Sequence, residues 1–195
     1  SEAALWREGR MAKLDVRDLP KPGVASLFDD RRGRIWLGSQ SGVGYIEHGT
    51  YKALEGVPGG YIDSFAEDRD GNLWVAHRER GLLRIAPDGR IAWNDTGQRT
   101  RRRLAADPVR GGIWIGAFLG GLTHFVDGRI AASYSVRDGL GKGRIKQVSV
   151  AGDGTVWVAT EGGLSRIKDG RIATLDKQGG LPCDNVNWMI EDAEH

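Results

Sequence analysis

Short apolar runs and short polar breaks alternate along the chain, most clearly over residues 62–93. Ile62-Asp63-Ser64-Phe65-Ala66 leans apolar. Glu67-Asp68-Arg69-Asp70-Gly71 interrupts it with an Asp-Gly tight-turn signal, because Gly accepts positive φ without steric cost. Leu73-Trp74-Val75-Ala76 is a continuous apolar run and predicts a buried strand. His77-Arg78-Glu79-Arg80-Gly81 is polar again and reads as a loop. Leu82-Leu83-Arg84-Ile85 predicts a third strand, Pro87-Asp88-Gly89 turns the chain, and Arg90-Ile91-Ala92-Trp93 predicts a fourth. Four short antiparallel strands within about 40 residues are the unit of a β-propeller blade.

The unit recurs. GRIWLGSQSGVGYI, GNLWVAHRERGLLRI, GGIWIGAFLGGLTHF and GTVWVATEGGLSRI bring Trp36, Trp74, Trp114 and Trp157 to the same point, 38, 40 and 43 residues apart. Turn signals flank every copy, and no segment has sustained helical periodicity. A two-layer sandwich also uses short strands and frequent turns, but it does not call for a Trp at one point of four successive units. The expected fold is all-β: a β-propeller of four-stranded antiparallel blades, with four full repeats and partial flanking blades. The four tryptophans read as scaffold filling the gaps between blades, where burying such a side chain is worth roughly 1.5–3 kcal/mol. Any specific site then lies where the copies differ.

The pattern divides one propeller domain over 1–195 into units at about 24–61, 62–100, 101–143 and 144–184, with partial blades at 1–23 and 185–195. Residues 4–12 align with the third and fourth strands of a blade, Trp6 falling at the place of Ile167. Val186 to Asp192 aligns with a first strand, as in Ile62 to Asp68. A fragment of a larger propeller fits these ends better than a ring closed by a composite blade, which would lack its Trp-bearing strand. Open blade edges seek partners, so the remaining blades or a second copy of the chain are expected partners, through self-association.

Composition narrows the classes. The chain has 195 residues, 39% of them hydrophobic, 30 glycines and seven tryptophans, which suits a globular, turn-rich fold. A net charge of +2 from 28 basic and 26 acidic residues gives no reason to expect nucleic acid. The single Cys183 excludes an internal disulfide framework and paired-Cys metal sites. There is no apolar run of about 18 residues, hence no membrane segment, and no signal peptide.

The repeats resemble the two-component regulator propeller. The marks are clearest in GTVWVATEGGLSRIKDGRIATLDKQGGLPCDNVNWMIED: an Asp-Gly turn before the Trp, a Thr-x-Gly-Gly-Leu break after it, an Asp-Gly hairpin and a Gly-Leu-Pro linker. Arg137-Asp138-Gly139-Leu140 is the same linker one blade earlier, whereas Gln98 to Arg103 lacks the phrase. The resemblance implies a propeller from the extracytoplasmic sensor part of bacterial hybrid histidine kinases and related regulators, with carbohydrate as a ligand class. It implies a periplasmic or other extracytoplasmic location, no catalytic residues and no cofactor. A weaker similarity to lyase- and lactonase-type propellers implies an alternative, a metal-dependent enzyme using His77 and Glu79. A protein-interaction scaffold is a third reading.

In a propeller the second-to-third-strand loops and the blade-joining loops share one face, so divergent side chains converge there. The candidate ligand contacts are Gln40, Tyr61, His77, Arg78, Arg80, Arg102, Phe118, Arg144, Glu161 and Asn185. The set leans basic and carries aromatic and amide groups, which suits an anionic or sugar-like ligand through charge-assisted and bidentate hydrogen bonds. Arg101-Arg102-Arg103 is the densest charge run and a candidate phosphate or sulfate contact. No zinc spacing, phosphate loop or nucleophile elbow occurs, and no Asp-x-Asp-x-Asp-Gly calcium loop, so no metal is expected.

Overall fold

The structure, a computed structural model, describes residues 3–7, 10–14, 16–21, 23–94 and 102–190; of 3–7, 10–14 and Asn94 it describes the backbone alone. β1 (Ala3–Arg7) and β2 (Arg10–Leu14) form an antiparallel hairpin. Four antiparallel sheets follow, each with its strands in chain order. Blade 1 holds β3 (Val24–Asp29), β4 (Ile35–Ser39), β5 (Gly42–Glu47) and β6 (Thr50–Ala53). Blade 2 holds β7 (Ile62–Glu67), β8 (Leu73–His77), β9 (Gly81–Ile85) and β10 (Ile91–Asn94). Blade 3 holds β11 (Arg102–Ala106), β12 (Ile113–Ala117), β13 (Leu122–Val126) and β14 (Arg129–Tyr134). Blade 4 holds β15 (Ile145–Val150), β16 (Val156–Thr160), β17 (Gly163–Lys168) and β18 (Arg171–Leu175). The first strands β3, β7, β11 and β15 lie side by side, which is the propeller arrangement. No helix among the described residues is long and apolar enough to cross a membrane.

Burial explains the sequence pattern. The second strands β8 and β12 are buried at every position, because a neighbouring blade covers each face. The outermost strands β6, β14 and β18 are fully buried at no position, and β18 alternates between half-buried and exposed residues. Each joint between blades has its own core. Trp36 packs with Ile62, Phe65, Leu73 and Ile85 of blade 2, Trp74 with Leu104, Ile113 and Phe125 of blade 3, and Trp114 with Ile145, Val148 and Val156 of blade 4. The blades approach so closely at mid-strand that a Cβ on Gly38 would meet Ile62 at 2.6 Å, and one on Gly116 would meet Ile145 at 2.7 Å. The other two blades carry Ala76 and Ala159 there.

The turn end of the blades holds a repeated clasp. The indole Nε1–H of Trp36 donates to Asp30 (2.9 Å), that of Trp74 to Asp68 (2.7 Å) and that of Trp114 to Asp107 (2.9 Å). The other oxygen of each aspartate accepts two backbone N–H groups of the same turn. Burial pushes the Asp30 and Asp107 carboxyls up, but the indole, arginine and backbone donors outweigh it and hold both below the usual carboxylate range. Arginines of the same turns reach into the next blade. Arg31 bonds the Asp68 carbonyl and lies beside Glu67, and Arg110 donates to the Gly154 carbonyl at 2.8 Å.

Blade 4 departs from the set. Ala151 stands where the clasp aspartate would be, making the same backbone bond, 2.9 Å to Thr155, that Asp30 and Asp68 make to Arg34 and Asn72. Trp157 is half-buried, unlike the other three. The expected first strand from Val186 is not regular over residues 186–190, and Glu191 and Asp192 lie outside the described residues. This segment nevertheless runs along β15: Gln147 donates to the Met189 carbonyl at 3.0 Å and accepts from its N–H at 2.8 Å. Earlier blades do the same at the matching register. Ser26 donates to the Ile62 carbonyl, Ser64 to that of Arg102 and Arg103 to that of Lys146. The side chain of Trp6 and residues 95–101, Arg101 included, also lie outside the described residues.

Candidate functional site: the loop-face rim

The opposite end carries the second-to-third-strand loops and the blade-joining loops. Two positions recur there. The first residue after the second strand is Gln40, Arg78, Phe118 or Glu161; the last residue before the next first strand is Tyr61 or Arg144, with Arg101 undescribed. These positions meet in two ways. Between blades, Gln40 donates to the Tyr61 hydroxyl at 2.8 Å, and the Arg144 guanidinium lies over the Phe118 ring at 4.8 Å. Within a blade, Arg78 lies over the Tyr61 ring at 4.3 Å, and Arg144 Nε stands 3.5 Å from Glu161 Oε1. Two arcs of rim result, Gln40–Tyr61–Arg78 and Phe118–Arg144–Glu161.

Each arc ends on an ion pair, and the two pairs have opposite polarity. In blade 2 the loop residue Arg78 holds Asp63 of β7 with a bidentate pair from one guanidinium edge, Nε to Oδ2 at 3.2 Å and Nη2 to Oδ1 at 2.5 Å. Asp63 is 3% exposed, and its hydrogen bond keeps Arg78 even more firmly protonated than usual. In blade 4 the loop residue is the acid: Glu161 faces Lys146 of β15 at 3.3 Å and accepts the Arg144 N–H at 3.1 Å. That N–H, together with Lys146 and Arg144, holds Glu161 below the usual carboxylate range against slight desolvation. Between the arcs Arg103 donates to the Asp63 carbonyl at 3.1 Å and to the Lys146 carbonyl at 2.8 Å, spanning the first strands of three blades.

The structure brings Gln40, Tyr61, Arg78, Phe118, Arg144 and Glu161 to this rim. Arg80 is exposed beside it, and Asn185 is exposed with its carbonyl 3.6 Å from the Cys183 thiol. Two candidates sit elsewhere. His77 is the last residue of β8, not a loop residue, because it still pairs with Ile62 and Gly81. It is 1% exposed, its Nε2 is 3.3 Å from the Pro58 carbonyl, its Nδ1 is 3.3 Å from Glu79, and Trp93 packs edge-on against the ring. Ser39 and Thr160 occupy this register in blades 1 and 4 and bond the turn that follows. Arg102 is likewise no loop residue: it opens β11 and is fully buried, so it does not offer a phosphate or sulfate contact at the surface. Among the described residues no group of three or more His, Cys, Asp and Glu side chains is placed to hold a metal ion.

Sequence reasoning passed over Asp63 and Lys146 and read Arg103 only as part of the basic run Arg101–Arg103, a candidate anion contact; the structure has all three tying the rim to the first strands. Their signal was positional: each falls at the start of a first strand, next to a candidate loop.

Fold and rim together define the class: a β-propeller whose blades share a scaffold and differ at the loop face. Residues 56–79 match the family model described as two component regulator propeller, so the chain carries that repeat. No curated protein matches the chain. Among solved structures it is similar to the extracellular domain of a hybrid two component system from B. thetaiotaomicron, with 22% identity and a TM-score of 0.74 over 91% of this chain and 26% of that one. It is similar to virginiamycin B lyase from Staphylococcus aureus, with 14% identity and a TM-score of 0.70 over 88% and 61% of the two chains. A gluconolactonase from Xanthomonas campestris shares the fold at 17% identity, with a TM-score of 0.62 over 87% and 66%. The chain thus spans about a quarter of the length of that extracellular domain.

Proposed function

We propose that this propeller is a non-enzymatic recognition module of a bacterial two-component signalling protein, placed outside the cytoplasm, which takes a polar or acidic carbohydrate-like ligand at the loop-face rim. The two guanidinium–aromatic pairs, Arg78 on Tyr61 and Arg144 on Phe118, support the reading most directly. Such pairs hold a cation and a ring in fixed orientation at the surface, and sugars and oxyanions are bound through those two groups. The regulator-type repeat and the extracellular domain of a hybrid two component system among similar structures support the signalling assignment. The half-buried Trp157 of blade 4 and the exposed Trp188, in the segment that runs along β15, support association with further blades or a second copy.

A thermal-shift screen of neutral and acidic oligosaccharides, with and without divalent metals, tests this. Stabilisation by acidic oligosaccharides that is lost in Arg144→Met is expected. Metal-dependent stabilisation that vanishes in His77→Ala would instead support a lyase- or lactonase-like enzyme.

A further inference from the structure

Of the two rim ion pairs, one is built as a lock and the other as a latch. The Asp63 side chain is buried and held at two points by one edge of Arg78, so blade 2 keeps its pair. The blade 4 cluster is open: Arg144, Lys146 and Glu161 are 53%, 26% and 34% exposed, and the carboxylate makes one-point contacts of 3.3 and 3.5 Å to the two cations. Exposed, single-point ion pairs contribute little net stability, so exchanging one for a solute ion is cheap. Phe118 fixes the plane of Arg144, Lys142 adds an exposed cation two residues earlier, and the Arg144 N–H points at the carboxylate.

We propose that Arg144, Lys146 and the Arg144 backbone N–H form an oxyanion site that Glu161 occupies as an internal stand-in, and that a carboxylate or sulfate on the ligand displaces it. The inference rests on the reading of the loop face as the ligand face, and deepens it by naming the charged group recognised and the side chain that gates it. Swinging out, Glu161 leaves two cations and one N–H donor, with the Arg144 guanidinium still held over the Phe118 ring. An acidic sugar sets its oxyanion on Arg144 and Lys146 and its hydroxyls along the neighbouring rim. Free sulfate makes only the first of these contacts.

Calorimetric titration of the whole chain with inorganic sulfate and with a uronate-containing disaccharide, in low-salt chloride buffer, decides the matter. Glu161→Gln removes the competing charge but keeps an acceptor for the Arg144 N–H, so the fold is retained. It should tighten binding about fivefold or more, the scale of one charge removed at a few ångströms near the surface. The gain should vanish in the Glu161→Gln/Arg144→Met double variant. Asp153→Asn makes the same charge change at the turn end, where Asp153 pairs with Lys168, and should give no gain. A larger gain for the disaccharide than for sulfate identifies an acidic sugar as the ligand; a gain for sulfate alone identifies a free oxyanion. The inference is overturned if Glu161→Gln binds no tighter than the parent, if Asp153→Asn gains as much, or if the gain survives loss of Arg144. Binding of the disaccharide to the parent, unchanged by Glu161→Gln but lost on Tyr61→Ala, would leave the loop face as the ligand face and remove only the latch.

Discussion

The two ends of each blade are built on different rules. At the turn end three blades repeat one device, a buried tryptophan whose indole nitrogen bonds an aspartate that also ties the turn. At the loop end the equivalent positions carry Gln40, Arg78, Phe118 and Glu161, four side chains with no chemistry in common. The turn end faces one problem four times, closing a hairpin and sealing a joint, and has one solution. The loop end shares the geometry of its neighbours but not their side chains, so it is free to specify a ligand. Blade 4 sharpens the contrast, because it loses the clasp at Ala151 while elaborating its rim.

The largest effect should come from removing a clasped indole. Trp74→Ala is expected to cost about 3–5 kcal/mol in urea unfolding, as large core truncations do, and Trp157→Ala distinctly less because that side chain is half-buried. Equal costs would break the distinction between blade 4 and the others. Asp107→Ala should cost about 2–3 kcal/mol, because it strands the Trp114 indole and two turn N–H groups. The same contacts predict acid sensitivity. The folded Asp30 and Asp107 carboxyls titrate below their unfolded value of 3.8. Their contribution is therefore complete above that pH and lost as pH falls through the folded values. A stability profile from pH 6 to pH 2 should fall less steeply at the acid end in Asp107→Ala than in the parent. Smallest is a gain: Ala151→Asp installs the missing partner for Trp157 and should stabilise by about 1 kcal/mol.

The scaffold was legible because its signals are local. The runs Ile62–Ala66, Leu73–Ala76, Leu82–Ile85 and Arg90–Trp93 became β7 to β10 with ends shifted by a residue or so. The clasp was missed although its spacing stood in the sequence. An aspartate lies six residues before Trp36 and Trp74 and seven before Trp114, but a tight turn by itself also favours an aspartate there, so the spacing alone does not single out the indole contact. The rim was half legible. Which loops converge follows from propeller topology, but which side chains touch depends on the angle between blades. Polarity misled at His77 and Arg102, where a strand end and a strand start bury charged-looking residues that local pattern assigns to solvent.

The division of labour between the ends is tested most directly by urea unfolding of two matched variants. One is Asp68→Ala at the turn end; the other is the rim triple variant Gln40→Ala/Tyr61→Phe/Arg144→Met. Asp68→Ala should lose about 2–3 kcal/mol by stranding Trp74 and its turn, and the rim triple variant less than about 1 kcal/mol, since exposed polar contacts contribute little. A rim variant as destabilised as Asp68→Ala would contradict the assignment of scaffold to one end and recognition to the other.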